Sequence, residues 1–193
     1  NGQLVKGQAV LIQGASSGVG LIGMQVARFL GAGLVIGTST NPDRIKKLKS
    51  YGAHLAINSS DENWPQQVLD ATDGKGVDIL IDHVSGPAAN SNMRATKLGG
   101  CIVNVGRLGG MKGEFDFDLH ALRRIKYLGV TFRTRNANEV ENIVEATARE
   151  LLPGLSSSAF SLPIHQVFKL EQATEAFAMM KRNEHFGKLV LSI

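Results

Sequence analysis

A run of glycines near the start of the chain has the spacing of a phosphate-binding loop. Gly18, Gly20 and Gly23 form G-x-G-x-x-G, and Gly14 with Gly18 and Gly20 forms G-x-x-x-G-x-G. A pyrophosphate held there must approach the backbone closely, which a Cβ atom would prevent, and free N–H groups at a helix start bind its charge. The glycines therefore predict a dinucleotide site; their use for turns and packing alone is the alternative.

The segments on either side of this loop are those that such a site needs. The apolar run Ala9–Gln13 predicts a buried strand before the loop. Apolar residues from Val19 to Leu30 recur every three or four positions, which predicts a helix after it. Strand, glycine loop and helix in this order are typical of a nucleotide-binding unit. We expect the phosphate contacts to come from Ser16, Ser17, Gly18, Val19 and Gly20.

The residues that follow the second apolar run indicate which dinucleotide the loop takes. An NAD site usually has an acidic residue about 20 positions after the loop, where it binds the ribose 2′-hydroxyl. This chain has Thr38, Ser39 and Thr40 there, none of which would repel a 2′-phosphate. Arg44 follows, within reach of that phosphate. The sequence thus predicts NADP(H) as the cofactor; the alternative for Arg44 is an exposed helical arginine.

Six short apolar runs alternate with amphipathic stretches, which predicts an α/β domain. Strands this apolar are buried on both faces, as in a doubly wound parallel sheet with helices on either side. The expected spatial order of the strands is 3-2-1-4-5-6. The six predicted strands are Ala9–Gln13, Leu34–Thr38, His54–Asn58, Val77–Val84, Cys101–Gly106 and Gly129–Thr134.

The alternation stops near the end of the chain. Pro153 and Gly154 are expected to end the last helix of the sheet domain, and Ser156–Ser158 to form a polar link. A helix near Glu171–Arg182 and a closing apolar strand follow. We therefore divide the chain into a dinucleotide-binding domain, residues 1–154, and a segment of a different layer, residues 155–193.

Composition and charge exclude several classes of protein. The 193 residues include 21 basic and 17 acidic side chains, and aromatic residues make up 6%, too few to interleave with the basic ones in a nucleic-acid site. No apolar run approaches the ~18 residues of a membrane span. The single cysteine, Cys101, excludes an internal disulfide and a multi-cysteine zinc site. We expect a cytoplasmic protein that binds a small molecule and neither nucleic acid nor membrane.

No residue can be nominated for catalysis, and no metal site is expected in this chain. The five histidines lack metal-ligand spacing. Short-chain dehydrogenases, which share the G-x-x-x-G-x-G spacing, carry a catalytic Tyr-x-x-x-Lys. Here the residues four positions after Tyr51 and Tyr127 are Leu55 and Thr131, so that family is excluded.

Longer motifs resemble the medium-chain dehydrogenase/reductase superfamily, in particular its zinc-binding alcohol dehydrogenase and quinone oxidoreductase branch. The resemblance covers nearly the whole chain. Its segments are VKGQAVLIQGASSGVGLIGMQVARFLGA, LKSYGAHLAIN, GKGVDILIDHVSG, LGGCIVNVGRLGG and HFGKLVL.

This resemblance implies an oxidoreductase that transfers hydride between a nicotinamide and a carbonyl, quinone or enone. Members have a GroES-like catalytic domain, which the chain's last segment rejoins, and a Rossmann domain. The resemblance thus implies that this chain is the cofactor-binding part of a larger enzyme and is inactive alone. Any zinc would lie in the other domain.

We expect a quinone-reductase-like enzyme, and three alternatives to it stay open. A quinone-reductase-like enzyme needs no metal, whereas a zinc-dependent alcohol dehydrogenase does. An enoyl-reductase domain of a multidomain synthase would have a much longer parent chain. A catalytically inert nucleotide-binding module would bind cofactor without turnover.

The remaining site residues follow from the fold and the resemblance. The carboxyl ends of parallel strands face the crevice where the ligand binds. The resemblance adds nicotinamide-side contacts and implies a homodimer through the strand Gly129–Thr134. If the last segment has lost its partner, we also expect Phe160, Phe168, Val190 and Leu191 to be unusually exposed or to pack against another chain. The further expected cofactor contacts are Asn58, Val84, Ser85, Gly106, Arg107, Phe132 and Arg133.

Overall fold

The larger part of the molecule is a single parallel sheet, in a computed structural model that describes residues 2–193. Its strands are β1 Ala9–Gln13, β2 Leu34–Ser39, β3 Leu55–Asn58, β4 Val77–Asp82, β5 Thr96–Asn104 and β6 Lys126–Gly129. They lie in the order β3-β2-β1-β4-β5-β6. The predicted doubly wound Rossmann sheet is confirmed. The order reverses between β1 and β4, which is where ligands bind in such sheets.

Helices cover both faces of the sheet, because successive side chains of each strand point to opposite sides. Val10 and Ile12 of β1 join one buried cluster with Met24, while Leu11 joins the other with Trp64. Within the described residues, no helix is long and apolar enough to cross a membrane. The helices are α1 Gly18–Phe29, α2 Pro42–Leu48, α3 Trp64–Asp70, α4 Ala89–Ala95, α5 Phe117–Arg123, α6 Ala137–Ser156 and α7 Ala173–Lys181.

The sixth strand lies earlier in the chain than predicted. Helix α5 is followed by the capping residue Arg124, whose φ of 51° is left-handed, and β6 starts two residues after it. Asn104, the last residue of β5, already pairs with Gly129, so no strand is left for later residues to pair with. The predicted strand Gly129–Thr134 is therefore wrong, although its apolar and β-branched composition is typical of one.

The predicted end of the last sheet-domain helix is also wrong. Helix α6 continues through Pro153 to Ser156. A proline removes one helical hydrogen bond, but Gly154 is buried beside the ring of Phe160, which contacts Phe29 edge-on at 5.2 Å between ring centroids. This aromatic packing stabilises the last turn. The expected boundary after residue 154 falls inside the helix.

The end of the chain forms a second, separate sheet, as expected of a different layer. Strands β7 Ile164–Lys169 and β8 Lys188–Ser192 pair in parallel, and α7 packs against both. Phe168 is only 4% exposed, so its expected exposure is wrong; the helix covers that side of the strand. Leu191 is exposed as predicted, whereas Phe160 and Val190 are half-buried. Other large apolar side chains exposed on this unit are Ile164, Val167, Leu170, Phe177 and Met180.

Candidate dinucleotide-binding site

The glycine loop joins β1 to α1 and leaves N–H groups free at the helix start. Ser17 caps α1: its hydroxyl accepts a hydrogen bond from the Gly20 N–H at 3.1 Å and donates one to the Gly14 carbonyl at 3.0 Å. The first N–H groups of a helix have no partner inside it. Those of Gly18 and Val19 therefore remain available at the positive end of the helix, where an anion binds most favourably.

The structure distinguishes between the two glycine templates. A β-carbon on Gly20 would lie 2.6 Å from the α-carbon of Ala15, and Gly14 has a φ of +75°, which side chains rarely adopt. A β-carbon on Gly23 would approach Ile12 no closer than 3.7 Å, which is ordinary contact. The close approach therefore requires the glycines of G-x-x-x-G-x-G, and the third glycine of G-x-G-x-x-G is not required.

The end of β2 is tied to the loop by hydroxyl groups. The Thr38 hydroxyl accepts a hydrogen bond from the Gly14 N–H at 3.2 Å and donates one to the Gln13 side chain. The Ser16 and Ser39 hydroxyls lie 3.0 Å apart. Thr38 is fully buried, so its hydroxyl is used to hold the loop. The structure thus brings together the residues predicted at both places.

Arg44 lies on α2, whose first turn is capped by Asn41. Its side chain is only 8% exposed, so the alternative of an exposed arginine is wrong. Its guanidinium donates to the Asn183 side-chain oxygen at 2.9 Å and also to the Asn183 carbonyl. Asp43 is exposed and pairs with Lys46 at 2.8 Å. Burial lowers the pKa of Arg44, and no carboxylate in the described part of the chain pairs with it.

Asn58, at the end of β3, is the register partner of Ser39 on β2. Its side-chain oxygen accepts a hydrogen bond from the Ser60 N–H at 3.0 Å. Asn58 therefore lies beside the predicted adenosine end of the site, where it also shapes the turn that follows its own strand.

On the other side of the sheet's switch point, a buried carboxylate shapes the turn after β4. One oxygen of Asp82 accepts from the N–H groups of Val84 and Ser85, at 2.8 and 2.9 Å. Ser85 has φ 58° and ψ −154°, a strained conformation that clusters at functional sites. Its hydroxyl donates to the Gly106 carbonyl at 2.7 Å and accepts from Asn104. The expected contacts after β4 and β5 thus form one network, and sequence reasoning missed the role of Asn104.

Three of the expected cofactor contacts share one groove. Arg107, Phe132 and Arg133 line a cavity of about 1120 Å³ together with residues of α1 and α6. Phe132 and Arg133 follow β6 and do not end it, and the Phe132 ring is 62% exposed. They were expected to end the sixth strand; with that strand corrected, they lie in the same groove as Arg107.

Two titratable side chains in the β4–β6 half of the crevice, His83 and Tyr127, have shifted pKa values. Burial lowers the pKa of His83, and its Nδ1 shares a hydrogen bond of 3.0 Å with the Gln13 carbonyl. Burial, and then the charge of Asp82, raise the pKa of Tyr127, which lines a cavity of about 210 Å³ beside Ser85. Both side chains are neutral at pH 7. These two side chains therefore add no charge to the β4–β6 half of the crevice, whose cationic groups include Arg107 and Arg133.

A sequence profile described as zinc-binding dehydrogenase matches residues 18–149, from the start of α1 into α6. The chain belongs to the zinc-binding dehydrogenase family. The match spans more than half of the chain and includes the glycine loop's last glycines, the end of β2 and the network after β4. It confirms the resemblance to the cofactor-binding domain of medium-chain dehydrogenases/reductases.

Curated relatives of this family member include very long synthases. Squalestatin hexaketide synthase clz14 of Cochliobolus lunatus is 26% identical over 98% of this chain, which spans 8% of that protein. A mycocerosic acid synthase-like polyketide synthase of Mycolicibacterium smegmatis is 28% identical over 97% of the chain, which spans 9% of that protein. The chain thus matches a small part of each.

Solved structures of oxidoreductases have the same fold. An NAD-dependent alcohol dehydrogenase superposes with a TM-score of 0.85 at 29% identity, covering 97% of this chain and 52% of its own. The enoyl reductase JamJ superposes with a TM-score of 0.82 at 23% identity, covering 99% and 56%, and this likeness shows the fold alone. The zinc-binding dehydrogenase chain spans about half the length of these structures.

The residues described here do not fit the metal in the family's name. Within residues 2–193, no three His, Cys, Asp or Glu side chains are grouped so that they could hold a metal ion. Cys101 is buried, and burial raises the pKa of its thiol, which disfavours the thiolate that zinc binds.

Proposed function

We propose that this chain is the NADP(H)-binding part of a reductase whose substrate is an enone, a quinone or another carbonyl compound, with enones favoured. The observation that carries the cofactor assignment is the end of β2, where Ser39 lies 3.0 Å from Ser16 of the glycine loop, Arg44 follows on α2, and positions 38–40 hold no carboxylate that would repel a 2′-phosphate. The enone preference is supported by relatives named as highly reducing polyketide synthases and by solved enoyl reductases whose fold this chain shares.

Each part of the crevice has a task in this proposal. The Gly18 and Val19 N–H groups and the dipole of α1 bind the pyrophosphate. Arg44 uses two N–H groups for Asn183 and has others left for the 2′-phosphate. The groove at Arg107 and Phe132 holds the nicotinamide end. The bound nicotinamide supplies the hydride, and the protein binds and orients it.

The substrate contacts and any catalytic proton donor are assigned to a second domain, and this chain alone is proposed to be inactive. The assignment to a second domain is supported because this chain spans only about half the length of the solved relatives. The exposed apolar side chains of the β7–β8 unit are suited to pack against such a domain.

The cofactor assignment predicts a selective effect of Arg44→Ala. A charge-assisted hydrogen bond to phosphate contributes roughly 1.5–3 kcal/mol, and each ~1.4 kcal/mol is tenfold in affinity. We expect the variant to bind NADPH at least tenfold more weakly and NADH with nearly unchanged affinity. Fluorescence titration of the chain with each cofactor measures both constants.

Two variants control this titration. Arg94→Ala removes an exposed arginine of α4 and should change neither constant. Asn183→Ala removes one partner of Arg44 but keeps its charge, so NADPH should stay preferred. An unselective loss in Arg44→Ala, or NADH bound more tightly than NADPH by the unmodified chain, would contradict the 2′-phosphate assignment.

A second candidate function is that of a zinc-dependent alcohol dehydrogenase, favoured by the identity to the NAD-dependent alcohol dehydrogenase. The full-length protein that carries this chain separates the two. We expect it to oxidise NADPH fastest with an enoyl thioester, with no loss on treatment with a metal chelator. Fastest turnover of an aldehyde, abolished by the chelator, would favour the second candidate. Cofactor binding without turnover of either would indicate an inert module.

We also propose a homodimer, with the pairing edge moved from Gly129–Thr134 to β6. Strand β6 lies at the edge of the sheet, and Leu128 on it is exposed. A sheet edge of this kind can pair with a second copy across a two-fold axis. A single-copy mass by light scattering at high protein concentration would contradict it.

A further inference from the structure

The residue that holds Arg44 lies far along the chain, in the turn between α7 and β8. This turn belongs to the C-terminal unit, which is the sheet β7–β8 together with α7. Asn183 has a φ of 54°, a left-handed conformation that asparagine tolerates better than most residues. Its side-chain oxygen and its carbonyl both accept hydrogen bonds from the Arg44 guanidinium, the first at 2.9 Å. One residue therefore fixes the guanidinium through two acceptors.

Both of these acceptors are neutral. An arginine as buried as Arg44, which is only 8% exposed, is normally paired with a carboxylate, because the burial of an unpaired charge is costly. An amide oxygen orients the guanidinium but does not cancel its charge. Across residues 2–193, no carboxylate forms an ion pair with Arg44. The charge of Arg44 is therefore held in place without being compensated.

Two carboxylates lie next to this contact in the sequence, and each is bound to another cation. Asp43 of α2 pairs with Lys46 at 2.8 Å. Glu184, in the turn after α7, pairs with Arg182 at 2.8 Å. The hydrogen bonds to these cations lower the pKa of both carboxyl groups. Each ion pair thus forms within its own segment, and neither carboxylate neutralises the guanidinium.

A nearby histidine responds to the same surplus of positive charge. Burial, and then the charges of Arg44, His165 and Lys188, lower the pKa of His185. Its Nδ1 atom is buried and has no hydrogen-bond partner among the described residues. At pH 7 His185 is therefore neutral and adds no charge of its own. The positive charge that surrounds it is suited to bind an anion.

We propose that Asn183 is a specificity-determining residue for the cofactor, because its neutral amide positions Arg44 for the 2′-phosphate and leaves the charge of Arg44 free to bind it. This inference rests on the proposed function. An aspartate at this position would offer the same oxygen with a negative charge. It would pair with the guanidinium and repel the phosphate. The side chain at position 183 therefore sets the cofactor preference through Arg44, without a contact of its own to the cofactor.

Asn183→Asp tests this role, because it keeps the shape of the side chain and the tolerance of a left-handed backbone. We expect the variant to bind NADPH at least roughly tenfold more weakly, and NADH within about twofold of the unmodified chain. The affinity for 2′,5′-ADP, which carries the 2′-phosphate but no nicotinamide, should fall together with that for NADPH. Fluorescence titrations of the full chain with NADPH and NADH, and competition by 2′,5′-ADP, measure these affinities.

Two variants serve as controls for the added charge. Asn183→Gly keeps the left-handed backbone and the carbonyl contact with Arg44 but removes the side chain. It should leave NADPH preferred, because the charge of Arg44 stays uncompensated. Gln166→Glu adds the same negative charge at an exposed position of β7, in the same unit. We expect it to change neither affinity.

Three results would overturn the inference. These are an unchanged ratio of the two affinities in Asn183→Asp, an equal loss for both cofactors in that variant, or an equal loss of the ratio in Asn183→Gly. Each of them leaves the proposed function standing as long as Arg44→Ala weakens NADPH selectively. If Arg44→Ala has no selective effect, the 2′-phosphate assignment of the proposed function fails, and this inference fails with it.

Discussion

Replacing Gly20 with alanine is expected to destabilise the chain by about 3 kcal/mol, since overpacking of a rigid site costs this much. The added β-carbon would lie 2.6 Å from the Ala15 α-carbon, 2.7 Å from the Gly14 carbonyl oxygen and 2.8 Å from the Ala15 carbonyl carbon. All three are backbone atoms, so no side chain can turn aside. Relief requires that α1 move away from the loop, which would also displace the N–H groups of Gly18 and Val19.

Gly23→Ala on the same helix is the matched control. Its β-carbon would make only ordinary contact with Ile12, and alanine favours a helix interior over glycine by roughly 0.5–1 kcal/mol. We expect this variant to be slightly more stable than the unmodified chain and to bind cofactor equally well. Urea unfolding of the two variants measures the difference. Equal stabilities would contradict the close packing of Gly20 described here.

The sheet could be predicted from the sequence because its signals are local. Buried parallel strands are apolar throughout, and the glycine loop marks the first turn. The sixth strand could not be placed in this way. Its own residues, Lys126–Gly129, include a lysine and a glycine, whereas the apolar stretch after it looks more like a strand. The position of β6 is set by β5, because the last residue of β5, Asn104, pairs with Gly129 and leaves no partner strand for the residues after it.

The same distinction applies to the candidate site: residues placed by local signals could be predicted from the sequence, and residues placed by long-range contacts could not. Residues of the loop and of the strand ends follow from their place in a parallel sheet, and the structure brings them together. The contact between Arg44 and Asn183 joins residues 139 positions apart, and no local pattern announces it. The position of Lys188 beside Gly18 is equally hidden, since a lysine after a glycine is unremarkable by itself. Long-range packing of the C-terminal unit therefore supplied what the sequence could not.

The largest effect on the nicotinamide half is expected from Asp82→Ala. The variant leaves the N–H groups of Val84 and Ser85 without their acceptor, and Asp82 and Ser85 are both buried. An unsatisfied buried donor costs roughly 1–3 kcal/mol, so we expect a loss of about 3 kcal/mol in the free energy of unfolding. Without these hydrogen bonds, Ser85 is held in its strained conformation only by the bonds of its hydroxyl to Gly106 and Asn104 and of its carbonyl to the Ala88 N–H. The affinity for both cofactors should therefore fall as well.

Asp82→Asn separates the hydrogen bonds from the charge. It keeps one oxygen as the acceptor and places an NH₂ group where the other carboxylate oxygen, which has no partner in the described part of the chain, now lies. We expect a smaller loss of about 1 kcal/mol. Asp70→Ala, at an exposed carboxylate that bonds only Gln66, should change stability by less than ~0.5 kcal/mol. If Asp82→Asn and Asp82→Ala were equally destabilised in urea, the charge and not the two hydrogen bonds would hold the turn, because only the charge is removed in both.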